Sequence, residues 1–152
     1  MDRIASFCID HNKLEPGIYL SRVDGDIKTF DLRVVKPNNP PFMDNAAMHT
    51  IEHIFATVSR NSEHSDKVIY FGPMGCRTGF YFLVRNMKNN VAIELIKECV
   101  KAIIDWNEDI PGITAAECGN YLEHDLEGAK SLMQKYYNII TNWTFNDVYY
   151  PQ

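Results

Sequence analysis

No run of apolar residues in this chain approaches the roughly 18 needed to cross a bilayer, which excludes a helical membrane span. Clusters of Lys and Arg interleaved with aromatics are also missing, and 15 basic against 20 acidic residues leave a formal charge of −5. That balance argues against nucleic acid or an anionic membrane surface as a partner. The four cysteines, Cys8, Cys76, Cys99 and Cys118, form no CxxC pair and none of the dense spacing of a disulfide framework, so reduced thiols are expected. No repeat, linker or low-complexity tract divides the 152 residues, and the opening Met1-Asp2-Arg3 leads into a segment unlike a signal peptide. The expectation is one cytoplasmic domain, with 45% hydrophobic residues for its core, acting on a small molecule or another protein.

Alternating apolar positions predict a hairpin over residues 17–35, with its turn at Asp24-Gly25-Asp26. The Pro37-Asn38-Asn39-Pro40-Pro41 segment breaks regular structure, and Asp44 or Asn45 then offers an N-cap for a helix from about Ala46 to Arg60. Two further strands are expected at Val68–Phe71 and Gly79–Val84, joined by a turn through Gly75 and Cys76. Helical periodicity then runs from about Asn90 to Trp106, with Cys99 as a small core residue, and from about Leu122 to Trp143. Strands first and long helices later predict a single-domain α+β layer fold, an antiparallel sheet packed against helices.

Against this background stands His49-Thr50-Ile51-Glu52-His53. An i,i+4 pair of histidines projects from one helix face, so both imidazoles can grip one metal ion, and Glu52 flanks them as a group able to move protons. An open site needs a third ligand. Cys118, in a glycine-containing loop before a helix, is the first choice, with Glu117, Glu123 and His124 as competitors. Cys76, in its tight turn between strands, better suits an acid/base or nucleophilic role. Each motif alone has a plainer origin, as a solvated helix face, a β-turn or a loop with a helix cap at Asn120.

Together these blocks resemble a known family. His49 to His53, Pro73-Met74-Gly75-Cys76-Arg77-Thr78-Gly79-Phe80-Tyr81 and Glu117-Cys118-Gly119-Asn120-Tyr121-Leu122-Glu123-His124-Asp125-Leu126 are similar in order and spacing to the S-ribosylhomocysteine lyases, the autoinducer-2 synthesis enzymes. The likeness extends from the Ser6 to His11 segment, through Asp31-Leu32-Arg33, to at least Lys130. It implies a homodimer with sites at the interface and an Fe(II) centre, replaceable by Zn(II) or Co(II), on His49, His53 and Cys118. It also implies Glu52 and Cys76 as the general acid/base pair, and Ser6, His11 and Arg33 as substrate contacts across the interface. The implied reaction moves a carbonyl along the ribose and then β-eliminates, giving homocysteine and 4,5-dihydroxy-2,3-pentanedione. One departure stands out: many members carry Asp-Ile-Ser where this chain has Tyr70-Phe71-Gly72. A small metallopeptidase, whose inverted motif is also His-x-x-Glu-His, and a zinc-stabilised interaction module are the alternatives from other classes.

Overall fold

The computed structural model describes Met1–Gln152. Its sheet has four strands, β1 (Gly17–Asp24), β2 (Ile27–Arg33), β3 (Val68–Pro73) and β4 (Gly79–Arg85). Their order is β1-β2-β4-β3, and every neighbouring pair is antiparallel. Asp24 pairs with Ile27, so Gly25 and Asp26 alone make the expected hairpin turn, with Gly25 in the left-handed region at φ 63°.

Three helices, α1 (Asn45–Arg60), α2 (Asn89–Ile104) and α3 (Leu126–Ile140), pack on one another, with α1 also against β3 and α3 against β1. Strand alternation explains the layer: Phe30 and Leu32 of β2 and Phe80, Phe82 and Val84 of β4 point into one core with the buried faces of the helices. Met48, Ile51, Ile54 and Phe55 form the buried stripe of α1, and Cys99 is fully buried within α2, as its periodicity predicts. The single-domain α+β layer therefore matches expectation.

Two local features shape the site. Between Val68 and Tyr70 the β3–β4 register shifts, a bulge that lets Val68 and Phe71 both face the core and turns Tyr70 outward. Helix α3 starts at Leu126, four residues later than its apolar period suggests, because Asp125 caps it by accepting the Gly128 N–H at 2.9 Å. The N-terminal cap is thus Asp125 and not Asn120. Residues 118–124 stay outside the helix.

Candidate metal centre and acid/base groups

His49 and His53 lie one turn apart on α1, half-buried. The Nδ1 of His49 meets the carbonyl of Glu123 at 2.8 Å, and the Nδ1 of His53 meets the carbonyl of Pro111 at 2.8 Å. A carbonyl oxygen only accepts, so each Nδ1 carries the proton and each Nε2 presents a lone pair. Both lone pairs converge on the Cys118 sulfur, at 3.3 Å from His49 and 3.8 Å from His53. The loop turns Cys118 inward through its own N–H, which bonds Thr114 O at 3.0 Å, and the Asn120 N–H donates to the sulfur at 3.4 Å.

His124 completes a group of four whose donor atoms lie within 4.8 Å of one another. The Thr50 hydroxyl donates to Ala46 O and accepts from the Asp125 N–H, so His124 Nδ1 donates to it at 3.0 Å and Nε2 is again the bare nitrogen. That Nε2 is buried without a protein partner. Burial, with His49 and His53 adding to it, pushes the His124 imidazole down to about 4. Ring geometry separates the donors: His49 and His53 meet edge-on at 89°, whereas His124 stacks on His49 at 3.9 Å and 20°. A lone pair lies in its ring plane, so two overlaid rings do not both aim at one ion. The group could hold a metal ion, aimed at by His53, Cys118 and one of the stacked pair His49 and His124.

Glu52 lies in the walls of two cavities that flank the histidines. One, of about 400 Å³, also takes in His53, Arg60, Tyr70 and Gly112. The other, of about 280 Å³, takes in His49, Pro73, Asn120 and Glu123. Cys76 is exposed in the β3–β4 turn, outside both cavities, with its sulfur 3.1 Å from the Thr78 hydroxyl. Thr78 links it to Arg33, whose Nη1 donates to Thr78 Oγ1 at 2.8 Å.

The residues named as substrate contacts are less gathered. Ser6 borders a third cavity, of about 420 Å³, on the sheet face away from the helices. His11 bonds its own segment, Nδ1 to Ile9 O at 2.9 Å. Arg33 is no exposed strand residue. Only 2% exposed, it donates through Nη2 to Asp31 at 2.6 Å, and Asp31 also accepts from the Tyr150 hydroxyl at 2.7 Å. Burial lowers the Arg33 guanidinium, but the ion pair with Asp31 overrides it and the net direction is upward. Asp31 and Tyr150 were not singled out by motif reading. The Asp-x-Arg spacing does put both charges on one face of a strand, but nothing local points to the tyrosine from the far end of the chain.

An α+β layer that brings imidazoles and a thiol to one point, with Glu52 in the adjoining cavity walls, has the donor set of a metal-dependent enzyme. The comparisons narrow this. The family model described as S-Ribosylhomocysteinase (LuxS) matches residues 4–147, and the chain belongs to that family. Relatives named S-ribosylhomocysteine lyase include those of Borreliella afzelii, 47% identical over 99% of this chain and 100% of the relative, and Finegoldia magna, 47% identical over the whole of both. The Clostridium beijerinckii protein of the same name is 46% identical over 99% of each chain.

Proposed function

We infer that this protein is a carbon–sulfur lyase that converts S-ribosylhomocysteine to homocysteine and 4,5-dihydroxy-2,3-pentanedione. The convergence of His49 Nε2, His53 Nε2 and Cys118 Sγ beside Glu52 is the observation that carries this reading, and the full-length likeness to lyases supports it. The thioether leaves from the sugar's C5, and the C4 proton becomes acidic only when C3 is a carbonyl, so a carbonyl must first travel along the sugar. His49, His53 and Cys118 hold Fe(II), with Zn(II) or Co(II) as substitutes. Such an ion supplies positive charge that polarises a carbonyl and stabilises negative charge developing on sugar oxygens.

Each carbonyl shift removes a proton from one carbon and returns one to its neighbour, and Glu52 and Cys76 divide that work. Elimination then takes the C4 proton and releases the homocysteine sulfur. Ser6, His11 and Arg33 bind the substrate at an interface between two copies of the chain, which accounts for their separation within one copy. The protein works in the cytoplasm, where its four unpaired thiols stay reduced. No helix is long and apolar enough to cross a membrane.

The deciding experiment measures thiol release from S-ribosylhomocysteine by anaerobically purified protein, with metal analysis on the same sample. Cys76→Ala and Glu52→Gln should keep their metal and lose about 10²–10⁴-fold in turnover. His53→Ala and Cys118→Ala should lose metal and activity together. Wild-type turnover by Cys76→Ala would remove it from the mechanism, and full metal occupancy in Cys118→Ala would move the third ligand elsewhere.

A further inference from the structure

Of residues 1–16 only Leu14 is buried, so the segment that carries Ser6 and His11 has almost no core of its own. Hydrogen bonds shape it instead. Asp10 closes a turn around His11, its carbonyl accepting from the Lys13 N–H at 3.1 Å and its Oδ1 from the Asn12 N–H at 3.0 Å. Inside that turn the His11 Nδ1 meets Ile9 O at 2.9 Å, and since a carbonyl only accepts, Nδ1 of the neutral ring carries the proton and Nε2 is left as an acceptor. Lys36 then fastens the exit of the turn. Its Nζ donates to Asn12 O at 3.0 Å, Leu14 O at 2.9 Å and the Glu15 carboxylate at 2.8 Å, three acceptors for the three N–H bonds of an ammonium. The Glu15 side chain is 66% exposed, where water weakens an ion pair, so the two carbonyls carry the clasp. Lys36 itself follows β2 by three residues, beyond Arg33, which Asp31 and Thr78 hold in place. One ammonium thus ties the His11 turn to the end of the central strand.

We propose that Lys36 is a positioning residue for substrate binding: it touches no substrate, and it fixes the turn from which the His11 Nε2 meets the substrate. This role rests on the lyase reading. It holds whether His11 serves the site of its own copy or of a neighbouring one, because the clasp is made within one chain. A coreless segment samples many positions, and each bond that fixes it in advance removes ordering cost from the binding step.

Lys36→Met keeps the aliphatic stem and removes the donors. Steady-state kinetics should show KM for S-ribosylhomocysteine raised about tenfold, the scale of one hydrogen bond's net contribution, with kcat within about twofold and metal content unchanged. Lys36→Arg, which still donates, should bring KM back to within about threefold of the wild type. In a His11→Ala background, Lys36→Met should lower kcat/KM by less than about twofold, because the two substitutions act through one group. Trypsin should cut after the exposed Lys13 about tenfold faster in Lys36→Met than in the wild type, reading the opening of the turn directly. A wild-type KM in Lys36→Met, an equal penalty with and without His11, or an unchanged rate of cleavage after Lys13 each overturns the role of Lys36 and leaves the lyase reading intact. Absence of thiol release by the wild type overturns both.

Discussion

Arg33 and Asp31 are opposite charges removed from water on the sheet face that no helix covers. Burying such a pair is costly unless its groups find partners; the Tyr150 hydroxyl donates to the same Asp31 Oδ2 that Arg33 holds, while Asp31 Oδ1 and Arg33 Nε have no protein partner. Tyr150 also stacks on Tyr19, with ring centroids 5.1 Å apart, so its ring is held independently of the hydroxyl. Tyr150→Phe should accordingly keep the stack and lose about 1.5–3 kcal/mol, the range for a hydrogen bond to a charged group. Urea denaturation reads this as a lower midpoint at unchanged slope, and an unmoved midpoint would show that Asp31 is satisfied without the phenol. At this scale the chain was partly legible. The metal-ligand candidates were readable because two sat at helical spacing and the third lay in a glycine-flanked loop. Arg33's burial was not, because it depends on a tyrosine brought over the sheet from the C-terminal segment.

The start of α3 shows how the site redraws an element. Apolar periodicity favours a helix from about Leu122, but a helix through Glu123 would use its carbonyl to accept from Glu127. That carbonyl instead accepts from His49, fixing the tautomer that leaves Nε2 bare. Asp125 then begins the helix by capping Gly128, and its own N–H bonds Thr50, the residue that holds His124. Asp125→Ala should cost about 1 kcal/mol of stability, and Asp125→Asn should restore most of it, since an asparagine oxygen also caps. The same pair of variants, titrated with Co(II), should show weaker binding for alanine than for asparagine, because a frayed start to α3 loosens the Glu123 carbonyl against His49. Equal affinities would mean that the cap stabilises the helix without steadying the ligand. Strand and helix identities were legible in period; this boundary was not, because it is set by contacts some 74 residues apart in sequence.

A single copy of the chain has a three-helix layer on one face of its sheet and none on the other. Around the open face stand large apolar side chains, Ile4 at 57% and Tyr70 at 53% exposure, and the N-terminal segment with Ser6 lies there, apart from the cavities of Glu52. Exposed apolar surface of this kind is normally covered, and a twofold copy of the chain, as proposed above, would cover it with the fewest requirements. If each site combines Glu52 of one copy with Ser6 of the other, two crippled variants can rescue one another. A dimer formed from a Ser6→Ala chain and a Glu52→Gln chain has one site with both substitutions and one with neither. Random reassociation makes half of the dimers mixed, and half of their sites intact. Mixing the two inactive proteins at equal amounts, after reversible dissociation in mild denaturant, should therefore restore about a quarter of wild-type thiol release. Sedimentation should report a dimer throughout. A mixture that stays as inactive as its components would place Ser6 and Glu52 of each site within one chain, and the N-terminal segment would then have to fold across the sheet of its own copy to reach the metal.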